Sequence, residues 1–197
     1  LKKIFLILAL FCSFVFCDDE LLLDSANAYK VVLKANSGIP ASSLVEKSSA
    51  VVILPKFVKA GFIIGGSIGK GVMMVKNADS WMPIGVKMGG GSLGFQIGYE
   101  DSYLVIFVLK NSIVQDIKDA KFTISADASA SFNNVGANAG KLSDFTFSDD
   151  IYAYSNSSGY FAGAKLGGSV ISVDKKMKFD TNSYGFNALI EALNVSF

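Results

Sequence analysis

Residues 50–75 read AVVILPKFVKAGFIIGGSIGKGVMMV, and residues 81–99 read WMPIGVKMGGGSLGFQIGY. Neither stretch repeats with the three-to-four residue period of a helix. Both mix β-branched and aromatic residues with glycine, which is the composition of strands whose backbones bend or approach one another closely. The spacing predicts strands over 50–54, ended by Pro55, and over 62–75, 81–88, 93–99 and 103–109. Asn77-Ala78-Asp79-Ser80 and Glu100-Asp101-Ser102 have the residue types of hairpin loops. Within these runs Gly-Gly-Ser-aliphatic recurs at Gly65–Ile68 and Gly90–Leu93, and again at Gly167–Val170. The irregular spacing excludes a solenoid repeat. The glycines are expected to be the coiling points of a curved sheet, or places of close contact with a neighbouring backbone.

Outward from this centre the pattern turns helical. Over 20–36, Leu22, Ala26, Tyr29 and Leu33 fall on one face, while Asp24, Asn27 and Lys34 fall on another. This helix is expected to pack on the sheet; a place in a membrane interface is the alternative, weakened by the acidic start and only two lysines, Lys30 and Lys34. A short helix over 41–48 follows Pro40. Downstream, 111–119 reads as a helix with Ile113, Val114 and Ile117 apolar, and 122–132 as a strand. Residues 133–150 are the most loop-like part; strands are expected at 151–155, 160–166 and 168–173, and a closing helix at 186–193. The fold class expected is α+β: a strongly curved, mainly antiparallel sheet or partial barrel with the N-terminal and C-terminal helices packed on it.

The first residues have a separate logic. Lys2 and Lys3 precede an apolar run over 4–16, followed by Asp18-Asp19-Glu20, the pattern of a secretory signal peptide. As a helix the run spans roughly 20 Å, short of a bilayer core of about 30 Å. Cleavage after Cys17 makes 1–17 the signal peptide and 18–197 a single domain, periplasmic or associated with the cell envelope. The competing scheme keeps Cys17 as an acylated lipoprotein anchor, but Phe16 is large for the position before such a cysteine. Simple cleavage removes both cysteines, so no disulfide contributes. Two of the 18 lysines leave with the leader, so 16 face 17 acidic residues, a balance of −1. Nucleic acid is therefore not an expected partner.

The 197 residues are 51% hydrophobic and 18% charged, with no histidine and no arginine. Imidazole bases, histidine metal ligands and arginine clamps are excluded. Gly89–Gly94 matches G-x-G-x-x-G in form, yet Phe95, Ile97 and Tyr99 alternate as a strand where a dinucleotide site needs a helix. Gly65–Gly71 lacks the first glycine and the Ser/Thr of a phosphate-binding loop. Ser67 with Lys70 is a formal nucleophile pair without a burial signal. Asp127, Asp149 and Asp174 would have to converge for carboxylate chemistry. No catalytic residue, metal site or cofactor is expected. Lys56, Lys59 and Lys70 flank Phe57-Val58 and Phe62-Ile63-Ile64, and an apolar surface ringed by lysine suits an anionic membrane, each charge adding about 1 kcal/mol. Solvated lysines on ordinary strand ends are the plainer alternative.

VILPKFVKAGFIIGGSIGKG at 52–71, GGGSLGFQIGYEDSYLVIFVLK at 89–110 and IYAYSNSSGYFAGAKLGGSVI at 151–171 together resemble the SYLF domain family. The blocks occur in the family's order and span about 21–185. The resemblance implies lipid binding without enzyme activity. Eukaryotic members bind phosphoinositides and some bind actin; bacterial members are mostly exported and membrane-associated. By analogy, Lys56, Lys59 and Lys70 would contact head groups, with Phe57, Phe62 and Ile63 as the apolar part of the lipid-binding surface. Ser67 stands where many members have arginine. The partner expected is membrane lipid, anionic lipid in particular. The alternative is a structural or protein-interaction module of the envelope with an envelope protein as partner, bound at a sheet edge or at 133–150.

Overall fold

The computed structural model describes residues 18–36, 40–78, 80–124, 130–132, 149–156 and 168–194, with side chains except at 59–64, 92–98, 100 and 130–132. In chain order the elements are α1 (Asp19–Ala35), α2 (Ala41–Lys47), β1 (Ala50–Asn77), β2 (Ser80–Val108), α3 (Asn111–Lys118), β3 (Ala130–Phe132), β4 (Ile151–Ser155), β5 (Val170–Val173) and α4 (Tyr184–Asn194). The fold is α+β. Residues 160–166, 125–129 and 133–148, on which three of the expectations fell wholly or partly, lie outside the described residues.

The centre is one long hairpin. β1 and β2 pair antiparallel from Ala50↔Val108 to Asn77↔Ser80, and the reversal passes through Ala78 with φ 50°. The loop at 77–80 is thus where the sequence puts it. The second expected loop does not form: Glu100, Asp101 and Ser102 lie in the ladder opposite Lys59, Val58 and Phe57, and Ser102 Oγ donates to Phe57 O at 3.4 Å. Nor does Pro55 end a strand. It sits at a register shift between Leu54 and Phe57, an irregularity where a residue without an N–H costs no ladder bond.

Extended fully, a strand of 28 residues would reach about 90 Å. The hairpin instead folds across itself, so that 69–76 lie against 49–57. Lys76 N–H donates to Ser49 O at 2.9 Å, and a Cβ on Gly71 would collide with the Ile53 carbonyl. A Cβ on Gly69 would come within 3.0 Å of the Phe57 ring, and one on Gly85 would strike Met177. These glycines permit close approach. The sheet stays open, in the order β1-β2-β4-β3 with β5 added to β2, so β1 and β3 stand at opposite ends of the path. The strongly curved sheet or partial barrel expected from the glycines is not what the described strands form. β3 pairs parallel with β4, and the other ladders are antiparallel.

Two apolar layers cover the sheet. Val51, Ile53, Val72, Met74, Val105, Phe107, Tyr152 and Tyr154 face α1, α2 and α4; Ala50, Val52, Leu54, Met73, Leu104, Ile106, Ile151 and Ala153 face α3 and the Phe122–Ile124 turn. α1 buries Leu22, Ala26, Tyr29 and Leu33, the face its periodicity marks, so it packs on the sheet. Asn36 Nδ2 ends it, donating to Val32 O at 2.7 Å and to Ser155 O of β4 at 2.8 Å.

The acidic start of α1 holds α4. Asp19 Oδ1 accepts from Gly185 N–H at 2.9 Å, close to a helix N-terminus where a negative charge is favoured, and Asp18 Oδ2 accepts from Lys178 N–H at 2.9 Å. Ser183 Oγ accepts from Phe186 N–H at 3.1 Å and caps α4. Among the described residues no helix is long and apolar enough to cross a membrane.

Candidate functional site

The three Gly-Gly-Ser-aliphatic segments, far apart in sequence, meet in space. Gly65, Gly66 and Ser67 of β1 pair with Ser92, Gly91 and Gly90 of β2. The third segment abuts the second: a Cβ on Gly90 would come within 2.5 Å of Ser169 Oγ, so Ser169 occupies the room that Gly90 leaves. Ser67 Oγ donates to Gly90 O at 3.5 Å.

Just beyond this junction β1, β2 and β5 lie side by side. Ile68 pairs with Gly89, and Gly89 with Val170. Two residues along, Lys70 pairs with Lys87, and Lys87 with Ser172. Strand side chains alternate, so these six positions share one face. The opposite face carries Gly69, Met88 and Ile171, all buried. The shared face is bare: Ile68 is 63% exposed and Val170 39%, and both lysines are exposed. One row across the strands is therefore aliphatic with a gap at glycine, and the next is cationic and polar. Between them lies a shallow cleft of about 290 Å³, lined by Ile68, Lys70, Lys87, Gly89, Val170 and Ser172.

The electrostatics are unbalanced. Like charges placed directly across a ladder repel, and among the described residues no ion pair is formed by either lysine. Among the described residues Lys110 pairs with Asp150 and Lys121 with Asp119, and neither pair involves Lys70 or Lys87. A face with two ammoniums set side by side next to exposed aliphatics can hold an anion that carries apolar substance. Gly89–Gly94 lies inside β2, so no helix N-terminus follows it. Ser67 and Lys70, three apart on one strand, point to opposite faces. Among the described residues no group of three His, Cys, Asp or Glu could hold a metal ion.

Of the residues singled out in the sequence, Lys70 is in this face. Lys56 is exposed, and its carbonyl lies beside Gly69, next to Lys70 in the chain. Phe57 is a correction. It is 1% exposed and packs in the layer facing α3, against the space Gly69 leaves, so it supports the sheet from inside and meets no ligand at the surface. The backbones of Lys59 and Phe62 pair with Glu100 and Ile97, and a register irregularity follows at Ile63. The side chains of Lys59, Phe62 and Ile63 lie outside the described ones. Lys87, Gly89, Val170 and Ser172 were missed. The signal that could have found two members of the aliphatic row was the recurrence itself, since Ile68 and Val170 are the aliphatic ends of its first and third copies.

A second polar feature lies in the interior. Tyr29 and Tyr154 flank Phe107 edge-on, with ring centroids 6.3 and 6.0 Å from it. Their hydroxyls and Ser25 Oγ are buried without a hydrogen-bond partner. Burial pushes both phenols above the ordinary tyrosine range, and Tyr152 adds to this at Tyr154.

Residues 89–189 match the family model described as Ysc84, Las17-binding protein actin regulator. An SH3 domain-containing protein of Schizosaccharomyces pombe is 32% identical over 144 residues, 71% of this chain and 33% of that protein. The human SH3 domain-containing YSC84-like protein 1 is 28% identical over 162 residues, 81% of this chain and 46% of its own length. LAS seventeen-binding protein 3 of Saccharomyces cerevisiae is 28% identical over 145 residues, 71% of this chain and 31% of its own. The chain thus spans less than half the length of these relatives. No solved structure matches it.

Proposed function

This chain belongs to the Ysc84/SYLF family, and from that premise we propose that it is a non-catalytic lipid-binding domain that associates with membrane lipid through an apolar surface rimmed by lysines. The observation that carries the reading is the bare face on which Ile68 and Val170 stand exposed beside Lys70 and Lys87. Exposed aliphatics cost free energy in water and lose that cost in an acyl boundary, while ammoniums gain near anionic head groups. Lys56, Lys59, Phe62 and Ile63, expected from the sequence as contacts, belong to the proposed surface. Residues 1–17 act as a signal peptide, and 18–197 work as one domain in the periplasm or on the envelope, with acylation of Cys17 the alternative mode of attachment.

A second reading has its own support. The matching family is described by protein binding, as a Las17-binding actin regulator. The domain would then be an interaction module of the envelope with a protein partner.

Co-sedimentation separates the two. Protein purified from its native host is mixed at low salt with vesicles of phosphatidylcholine, with or without phosphatidylglycerol. The expected result is sedimentation with the anionic vesicles, weakened when Lys56, Lys59 and Lys70 are all replaced by Gln and weakened by added salt. Failure to bind either vesicle, with capture of an envelope protein instead, would leave the second reading standing. Mass spectrometry of the N-terminus of the same preparation is expected to find Asp18 first.

A further inference from the structure

The aliphatic row and the lysine row suit one ligand rather than a diffuse surface. We propose that they form a seat for a single phospholipid, its phosphate bridging the ammoniums of Lys70 and Lys87 and the carbons next to it lying over Gly89 between Ile68 and Val170. The proposal deepens the lipid-binding reading and rests on it.

Three observations place the parts. First, the ladder register sets Lys70 directly across from Lys87, with Cβ atoms about 5 Å apart as such pairs are. Two ammoniums so placed repel each other until an oxyanion accepts hydrogen bonds from both, and charge-assisted bonds of this kind are the strong ones. Ser172, next in the row, supplies a hydroxyl donor. Second, the fold does not require glycine at 89. A Cβ there would find its nearest neighbour, Ser67 O, at an ordinary 3.8 Å. A strand position with that much room ordinarily carries a side chain that adds to sheet stability. At Gly71 and Gly85, by contrast, a Cβ would collide with the Ile53 backbone and with Met177. The missing side chain at Gly89 therefore leaves an open dent flanked by two aliphatics. Third, the cleft is about 290 Å³, at the lower end of ligand pockets, which run about 300–1,000 Å³. It accommodates a head group and its first carbons and leaves the acyl chains in the bilayer. The exposed Ile68 and Val170 favour a lipid over a free phosphate, because a soluble anion makes no use of them.

The test uses the full chain with phosphatidylcholine vesicles, with and without phosphatidylglycerol, and reads the gain in binding due to the anionic lipid. Each lysine near such a surface is worth roughly fivefold, so Lys70→Gln with Lys87→Gln is expected to weaken binding about 30-fold. The isocharge control Lys30→Gln with Lys34→Gln, on the outer side of α1, is expected to change it less than about threefold. Gly89→Val alters no charge and is expected to cost about tenfold by occupying the dent. The lysine variant is expected to melt at or above the wild-type temperature, since it removes a repulsion, and so separates lost binding from lost fold even if Gly89→Val folds poorly. Equal losses from the two lysine pairs, or full binding by a folded Lys70→Gln, Lys87→Gln variant, would overturn the seat and leave the lipid-binding reading intact. A wild-type chain that binds neither vesicle overturns both.

Discussion

At the open end of the β1–β2 hairpin, Ala50–Leu54 and Leu104–Val108 are buried on both faces; around 68–70 and 87–89 of the same two strands, only every second residue is. Both regions belong to the same ladder, the first wholly apolar and the second with Lys70 and Lys87 among Ile68, Met88 and two glycines. What differs besides is the covering. Near the open end α1 and α4 lie over one face and α3 over the other, whereas around Lys70 and Lys87 the interior face is packed and the outer face meets solvent. A sheet face without a covering layer is either made polar or put to use. Here Ile68 and Val170 remain on it, beside two cations that form no ion pair among the described residues.

The sharpest way to break this comparison is to truncate one side chain in each region. Phe107→Ala, under α1, is expected to cost about 3–5 kcal/mol in denaturant unfolding, because it empties the space between two tyrosine rings that cannot collapse onto each other. A smaller effect of opposite sign is expected at Tyr29→Phe. Its hydroxyl is buried without a partner, so removing it should raise stability by about 1 kcal/mol. The same group sets a pH dependence. In the unfolded chain a tyrosine titrates near pH 10, while burial raises Tyr29 and Tyr154 above that in the fold. The stability they allow is thus complete below about pH 10 and is lost as the pH rises beyond it, because the unfolded chain then releases protons that the native state keeps. Urea unfolding at about pH 8 and about pH 11 should show this loss, and show less of it in Tyr29→Phe. The smallest effect belongs to the bare face: Ile68→Ser is expected to shift stability by less than about 0.5 kcal/mol. A cost of several kcal/mol there would mean that Ile68 is a core residue and that the two regions are alike.

Helices were legible where one face repeats. The expected 20–36, 41–48, 111–119 and 186–193 correspond to Asp19–Ala35, Ala41–Lys47, Asn111–Lys118 and Tyr184–Asn194. Strand composition was legible too, but continuity was not. Pro55 and Glu100-Asp101-Ser102 have the local chemistry of chain breaks, and a long-range ladder overrides them: Glu100, Asp101 and Ser102 keep partners across the hairpin, and Pro55 falls at a register shift beyond which the pairing resumes. The site was half legible. Once the hairpin loop is set at 77–80, counting back along both arms brings Lys70 opposite Lys87, so that pair could have been counted from the sequence. Val170 and Ser172 could not, because β5 joins the edge of β2 from over sixty residues beyond the end of that strand, and no local pattern carries such a pairing. Phe57 was misread because its lysine neighbours suggested a surface, whereas the room beside it comes from Gly69, twelve residues away on the folded-over arm of the same strand.

The grip of Asp19 on Gly185 spans 166 residues. Such a contact has to wait for nearly the whole polypeptide, and loop closure over that distance is slow to be rewarded. While the last helix is still being synthesised, the first can pack on the β1–β2 hairpin, but the part of its surface that α4 covers stays open to chaperones or to misassociation. The domain therefore finishes late, because the contact that ties its two ends together is among the last that the chain can make.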